Sequence, residues 1–528
     1  MTGRPDRGGV PAPVPRPPDD VRRLAARVRA VGHRGSVEVR SPLTGAVVGR
    51  VPDCEPADVV AAVARAREAQ RLWSSVGDRH RRAVVLRYHD LVLERRDELM
   101  DLVQLEAGKA RRHALEEVVD VAVVARHYAV RAGGWLRTER RRGALPLLTL
   151  VRERRRPVGV VGLIAPWNYP LSMAVTDALP AVLAGNAVVL KPAEQTPFTA
   201  LLAAELLTQA GLPGGVFEVV TGPGPTLGPA LIDAVDFVGF TGSTSVGRAV
   251  ASRAGGRLVP VSLELGGKNA ALVLDDADVD RTVEGLARAC FTSAGQLCVA
   301  TERVYVHASL YGRVAAGLAE SAERVRLGAT AGYDVDMGAL ASAAQFEKTA
   351  AHVRDAVEKG AAVLAGGRPR PDVGPLFYAP TVLAGVTPEM DAFAEETFGP
   401  VVSVAPFDDD DHAVRLANAS DYGLNASVWT RDAARGRRVA ERIDCGTVNV
   451  NEGYAAAWGS TDAPMGGMKA SGVGRRHGRQ GLLKYTEPQT VAVQRGLPLA
   501  PRVGADAAPF ARLVVAALRA ARRLPGLR

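Results

Sequence analysis

Gly159-Val160-Val161-Gly162-Leu163-Ile164 is an apolar run too short for a helix and bounded by turn residues, and its reading decides the fold. A loop through Asn168 and a helical stretch to Ala184 follow it, so the run reads as a buried strand feeding a helix. The same unit then recurs. Residues 187–191 and 216–220 are strand-like, with a helix over 196–210 between them, and 237–240 is a further strand with a helix after it. Strand and helix in alternation predict a parallel, doubly wound sheet. A second alternating block over 270–450 predicts a second α/β domain, and two late strands, 447–450 and 490–493, bracket a glycine-rich loop over 453–481. No internal repeat is evident.

Upstream of this block, residues 1–20 hold six prolines and no apolar pattern, which predicts disorder. Ser41-Pro42-Leu43-Thr44-Gly45 is a turn between two short strands. Pro56-Ala57-Asp58 opens a helix through Trp73, Asp78 begins a longer one ending at Gly108, and a third covers about 114–132. The arginine-rich run 152–156 beside strand-like Leu148-Thr149-Leu150 reads as a solvated edge strand whose charges guard against aggregation.

The bulk numbers exclude several classes. The 528 residues are 47% hydrophobic and 23% charged, ordinary for a globular protein of two or three domains. Of the net charge of +9, about +6 sits after residue 494, where seven arginines face Asp506 alone. With the charge confined to a tail and no zinc-finger spacing or aromatic-basic platform, nucleic acid is not an expected partner. Cys54, Cys290, Cys298 and Cys445 have neither metal-site nor disulfide spacing. The N-terminus lacks the apolar segment of a signal peptide, and no apolar run nears the ~20 residues of a membrane span. A reducing cytoplasm is the expected location, and no metal is expected.

Three stretches carry chemistry. In Phe291-Thr292-Ser293-Ala294-Gly295-Gln296-Leu297-Cys298, an amphipathic helix from Asp278 breaks at 293–295, before a strand at 303–307. That turn can present the Cys298 sulfur to a cleft, although cysteines of this type are often inert and buried. Phe240-Thr241-Gly242-Ser243-Thr244-Ser245-Val246-Gly247 runs a strand into Gly242 and opens a helix at Ser243, turning backbone N–H groups toward a phosphate. Its G-x-x-x-x-G spacing departs from the usual dinucleotide fingerprint, and alone it reads equally as an ordinary helix cap. Lys191 and Glu194 follow a strand end, where both can reach a ribose or simply pair with each other.

Pro166-Trp167-Asn168-Tyr169-Pro170, Leu263-Glu264-Leu265-Gly266-Gly267-Lys268, Gly295-Gln296-Leu297-Cys298 and Glu395-Glu396-Thr397-Phe398-Gly399-Pro400 stand in the order seen in aldehyde dehydrogenases, which the chain resembles from roughly Ser41 to Gln494. The resemblance implies a Rossmann-like NAD(P)-binding domain over 21–140 and 158–263 and a catalytic domain over 264–484. It also implies oligomerisation strands over 141–157 and 485–497, leaving a basic tail over 498–528. It implies Cys298 as nucleophile, Glu264 as the base for hydrolysis, and an oxyanion site made by Asn168 and the Cys298 N–H. The G-x-x-x-x-G turn, with Phe240, Thr241, Gly242, Ser243 and Gly247, becomes a dinucleotide site. Lys191 and Glu194 take the adenosine ribose, Glu396 the nicotinamide ribose and Phe398 the nicotinamide end. Ile164, Pro166, Trp167, Gly224 and Leu265 line the remainder of the cofactor site. Glu194 would repel a 2′-phosphate and so favours NAD, whereas relatives of the bacterial succinate-semialdehyde type are commonly assigned NADP, which stays the alternative.

The stretches 451–459, 463–468 and 471–478 resemble bacterial succinate-semialdehyde dehydrogenases of the second type, making oxidation of succinate semialdehyde to succinate the expected reaction. Two departures stand out. Thr176 and Thr292 occupy positions where better-known enzymes of that activity place carboxylate-binding arginines, and threonine offers no bidentate charge. Arg475 or Arg476 is the candidate substitute. The alternatives are a general dehydrogenase of uncharged aldehydes and, in another class, a catalytically silent binding or structural protein. Family members pair through sheet edges, so a homodimer or homotetramer is expected, using strands near 148–154 and 490–494. Finally, 508–524 places Phe510, Leu513, Val514 and Leu518 on one helical face and Arg512, Arg519 and Arg523 on another. Docking of this helix on its own subunit or a neighbour is expected ahead of contact with a membrane surface.

Overall fold

The computed structural model describes residues 14–15, 21–31, 35–144, 148–496 and 498–522. The disorder expected over 1–20 thus falls, 14–15 aside, outside the described residues. Contacts divide the chain into one unit of Met1–Trp135 with Pro157–Thr486 and another of Leu136–Arg156 with Glu487–Arg528.

The first unit opens with the short helix Val21–Ala25 and the hairpin of Ser36–Arg40 with Val47–Pro52, followed by four long helices. Pro56–Ser75 begins with proline at its first position and a reciprocal cap between Glu55 and Asp58. The single long helix expected from Asp78 to Gly108 is in fact two, Asp78–Glu94 and Arg96–Ala107, because Arg95 leaves the helical region at φ −98°, ψ 19°. Gly108 ends the second at φ +73°, the left-handed conformation glycine adopts without strain. Arg111–Trp135 follows.

The first sheet runs Gly472–Val473, Val261–Glu264, Phe237–Thr241, Val160–Ile164, Ala187–Lys191, Phe217–Val219. All neighbouring pairs are parallel except the first. Chain order reverses between Val160–Ile164 and Phe237–Thr241, which makes a crevice beyond the carboxyl ends of these two strands. One local expectation changes. The helix expected to run to Ala184 is split into Pro170–Val175 and Ala178–Leu183, since Pro180 has no N–H to return to the Thr176 carbonyl. The strand that ends at Glu264 begins at Val261, after Leu258, which is 92% exposed at φ +58°.

The second sheet runs Ala362–Ala365, Thr381–Ala384, Val401–Phe407, Thr301–His307, Asn269–Val273, Asn425–Trp429, Thr447–Val450, parallel but for its first strand. Against it packs Val279–Phe291, capped by Asp278, whose buried Val279, Val283, Leu286 and Cys290 follow helical spacing into the core.

The second unit is a three-stranded sheet in the order Thr486–Gln494, Thr149–Pro157, Glu139–Arg141. The arginine-rich strand is therefore central, not an edge. Its charges are matched locally: Glu153 accepts from Arg141 at 2.7 Å and pairs with Arg155 at 2.5 Å. The unpaired edges belong to the other two strands. The tail forms the helix Ala508–Ala521 with no buried residue, and Leu513 and Leu518 are 68% and 66% exposed.

Candidate active site

The turn that carries Cys298 is built by backbone conformation and side-chain amides. After Phe291, residues Ser293, Ala294 and Gly295 take φ of +52°, +57° and +69°, a left-handed run that reverses the chain. At Gly295 a Cβ would lie 2.0 Å from the Gly399 carbonyl oxygen, so glycine there lets the Glu396–Gly399 loop close on the turn. Two non-glycine residues in this region cost about 1–2 kcal/mol each and need outside support. Ser293 N–H donates to His113 Nδ1 at 3.2 Å, its Oγ lies 3.2 Å from the Tyr169 hydroxyl, and Gln296 bonds Ser293 O, Ala339 O and the Ala341 N–H. Asn269 Nδ2 donates to the carbonyls of Cys298 and Ala300, both at 2.7 Å, and Asn425 Nδ2 to that of Val299 at 3.1 Å. Asn269 and Asn425 escaped the sequence reading, where nothing distinguishes them from other strand-end asparagines.

A cavity of about 240 Å³ opens at the crevice of the first sheet and is lined by Cys298, Glu264 and Asn168 together. Of the four cysteines only Cys298 reaches it; Cys54, Cys290 and Cys445 are buried elsewhere. Burial, with Glu396 and Glu264 nearby, pushes the Cys298 thiol up to about 12. Asn168 Nδ2 donates to the Gln296 carbonyl at 3.0 Å, which leaves the second amide N–H free of that bond. Lys268, the obvious neighbour for Glu264, pairs instead with the buried Glu302 at 2.6 Å. Glu302 also accepts from Thr397 N and Phe398 N, fixing the loop that carries Glu396. Glu264 Oε1 is consequently buried without a hydrogen-bond partner among the described residues, and burial raises its carboxyl to about 7, against the lowering pull of Arg476 and Lys484. A buried carboxyl of that affinity can hold or release a proton at neutral pH.

Pro166, Trp167, Thr241, Gly242, Ser243, Leu265, Glu396 and Phe398 line the same cavity, joined by Gln345 and Lys348, which the sequence reading missed. Ile164 and Lys191 end adjacent strands, and Gly224 opens the helix Gly224–Ala234. Lys191 Nζ lies 2.9 Å from Glu194 Oε1, which also accepts from Gly224 N. Burial works against the Glu194 charge, yet the Lys191 hydrogen bond and charge outweigh it and keep the carboxylate ionised. These residues fit a dinucleotide. Ser243 caps Thr244–Gly255 at the crevice, and a Cβ at Gly247 would meet Leu265 Cδ2 at 2.4 Å, so only glycine lets this helix N-terminus settle beside Leu265. Phe240 lies on the strand beneath, its ring 2.6 Å from where a Gly242 Cβ would be.

At the other end of the cavity stand Tyr169, Met173, Leu297, Val299, Trp458, Met465 and Arg476. Arg476 is buried and points to Thr176 Oγ1 at 2.5 Å and to Asp177, whose Oδ2 is 3.2 Å from Nε. Thr176 and Thr292 do not line this cavity; Thr292 Oγ1 bonds back to its own helix at Arg288 O. Arg475 is half-buried and spends Nη1 on the Gly467 and Gly474 carbonyls.

With the cysteine, the free carboxyl, the amide and a dinucleotide crevice in one cavity, comparison with known proteins becomes decisive. The chain matches the aldehyde dehydrogenase family over residues 30–491. It belongs to that family. Among aldehyde dehydrogenases it is 48% identical, over 98% of its length and 100% of the relative's, to a Mycobacterium tuberculosis protein named "Putative succinate-semialdehyde dehydrogenase", with NADP(+) in the name. It is 40% identical to phenylacetaldehyde dehydrogenase of Pseudomonas fluorescens, covering 87% of this chain and 92% of that one. The NAD+ complex of a Bacillus cereus aldehyde dehydrogenase superposes with a TM-score of 0.85 at 34% identity, covering 92% of this chain and all of that one. The two-sheet architecture is that of this family, and the substrate class is an aldehyde. Among the described residues no helix is long and apolar enough to cross a membrane, and no cluster of three or more His, Cys, Asp or Glu side chains is arranged to hold a metal ion.

Proposed function

We propose that this aldehyde dehydrogenase oxidises succinate semialdehyde to succinate with NAD, through a thiohemiacetal and a thioester on Cys298. The observation that carries the substrate is Arg476. It is the one arginine lining the Cys298 cavity among the described residues; Nε faces Asp177 Oδ2 at 3.2 Å and Nη2 donates to Thr176, but Nη1 meets only the Met173 thioether, at 3.0 Å. Thioether sulfur is a weak acceptor, so Nη1 remains to donate to a substrate carboxylate. In this reading Arg476 takes the place of the arginines missing at Thr176 and Thr292.

The chemistry is assigned residue by residue. The Cys298 sulfur attacks the aldehyde carbon as its proton leaves to a base, and the resulting oxyanion accepts from Asn168 Nδ2 and the Cys298 N–H. Bound dinucleotide supplies the acceptor for the hydride that leaves carbon as C=O reforms, giving the thioester. Glu264 then takes a proton from water, the hydroxyl oxygen bonds the acyl carbon, and the C–S bond breaks to free the sulfur and the acid. Glu396 and Phe398 orient the nicotinamide end, with Lys191 and Glu194 at the adenosine ribose.

A second reading, an uncharged aldehyde, draws on Tyr169, Met173, Trp458 and Met465 around the cavity and on Asp177 beside Arg476. A panel of succinate semialdehyde and phenylacetaldehyde with both cofactors separates the two. Arg476→Met is expected to lower kcat/KM for succinate semialdehyde by ~100-fold more than that for phenylacetaldehyde, the loss of a charge-assisted pair, since the pull of the guanidinium on Glu264 is common to both substrates. Equal losses on both aldehydes would favour the uncharged substrate.

NAD is favoured because Glu194, ionised and fixed by Lys191 and Gly224, places negative charge where a 2′-phosphate would sit. Glu194→Ser should raise the NADP-to-NAD ratio of kcat/KM by ~10-fold, about 1.4 kcal/mol. An unmoved ratio would remove Glu194 from cofactor selection.

We also propose a homodimer or homotetramer, associating through the open edge at Thr486–Gln494 with the exposed helix Ala508–Ala521 covered by a neighbour. Deleting residues 505–528 should shift sedimentation toward smaller species without lowering the melting temperature of the subunit, since that helix buries nothing of its own. Loss of binding to anionic liposomes on truncation would instead assign the helix to a membrane surface.

A further inference from the structure

One short segment, residues 109–117, touches both halves of the reacting site. Lys109 Nζ and Glu117 Oε1 form an ion pair at 2.7 Å with both side chains almost wholly buried. The other Glu117 oxygen accepts from Leu171 N at 2.8 Å and Ser172 N at 3.0 Å, the first free N–H groups of the helix Pro170–Val175. Lys109 Nζ also sits 3.1 Å from the centre of the Tyr169 ring. Asn168 is the residue immediately before that clamped stretch. From the same segment, His113 Nδ1 accepts the Ser293 N–H at 3.2 Å, and Tyr169 Oη stands 3.2 Å from Ser293 Oγ. Nothing in the reaction uses Lys109 or Glu117 directly.

We propose that the Lys109–Glu117 pair is a positioning device for the Asn168 amide, holding the backbone on its C-terminal side so that Nδ2 faces the oxygen on the carbon attacked by Cys298. This rests on the reading of Asn168 as the oxyanion donor. A buried ion pair is weak support for stability when hydrophobic residues could fill the same space. The geometry gives this pair another task, because Glu117 spends one oxygen on Lys109 and the other on the segment that aims Asn168. A displacement of about 1 Å at such a donor costs on the order of 100-fold in rate.

The test is the pre-steady-state burst of NADH, with succinate semialdehyde and phenylacetaldehyde as probes, in four proteins and again in an Asn168→Ala background. Lys109→Met with Glu117→Leu removes the acceptor together with its counter-charge; the burst rate should fall ~10- to 100-fold with NAD affinity unchanged. Lys109→Met with Glu117→Gln restores an acceptor and should recover most of that loss. Should the leucine variant fail to fold, Glu117→Asp with Lys109 intact shortens the reach by one methylene and should show the same loss. In the Asn168→Ala background all three should match Asn168→Ala alone within about twofold, because their effect runs through that amide. An unchanged burst in the leucine or aspartate variant overturns the proposal, as does an equal fall in both backgrounds. A full burst in Asn168→Ala itself would instead sink the oxyanion assignment on which the proposal stands.

Discussion

Cys298→Ser is expected to lower dehydrogenase turnover at least ~1,000-fold while leaving NAD affinity within about twofold of the parent. The first half follows from chemistry: serine at the end of the same left-handed turn keeps the geometry, but its oxygen lacks the nucleophilicity of a sulfur that has lost its proton. The second half follows from placement, because Lys191, Glu194, Gly224 and the Ser243-capped helix are built on strands other than the one Cys298 precedes. No other cysteine can take over. Cys290 faces the core from Val279–Phe291 with its thiol raised far above the ordinary range by burial, and Cys54 and Cys445 lie outside the cavity. Stopped-flow formation of NADH and fluorescence titration of NAD check the two halves separately. Turnover preserved in the serine variant would remove covalent catalysis through Cys298.

That Cys298 could be singled out at all, and Lys268's partner could not, shows what kind of information the sequence carries. Strand and helix alternation from Gly159 onward is a local pattern, so both parallel sheets were legible, and so was a cysteine in a turn between helix and strand. Family motifs then put Glu264, Asn168 and Glu396 beside it. The rest depends on residues far apart in the chain. Lys268 sits next to Glu264 in the motif yet pairs with Glu302, and that choice leaves Glu264 Oε1 without a partner. Asn269 and Asn425 are 156 residues apart and meet on one loop, Asn425 N donating to Asn269 Oδ1 at 3.1 Å. The direction of Arg476 depends on Asp177 and Thr176, about 300 residues earlier, and no spacing rule relates them. The central position of Thr149–Pro157 escaped for a similar reason: its partner Thr486–Gln494 arrives at the end of the fold, and a charge-rich strand looks like an edge until Glu153 is seen pairing with Arg141.

Glu264→Gln separates the two chemical steps. Hydride leaves carbon before water enters, so a base needed only for hydrolysis should be dispensable for the first turnover. The expected result is a burst of NADH close to one per active site, followed by a steady rate lower by ~100- to 10,000-fold, the range for removal of a general base. The pH dependence supplies a second, independent reading. Burial raises Glu264 to about 7, so below that pH it is protonated and cannot accept a proton from water, and above it the carboxylate is competent. Steady turnover of the parent should therefore fall about tenfold per pH unit below about 7, and the glutamine variant should lose that limb. A different outcome has a specific meaning here. Cys298, raised to about 12 by burial with Glu396 and Glu264 nearby, needs a proton acceptor when it attacks, and Glu264 shares its cavity. If burst and steady rate fall together in Glu264→Gln, the carboxylate acts on the thiol and the water is activated elsewhere. If both are unchanged, Glu264 is no base at all, and its unpartnered oxygen requires another explanation.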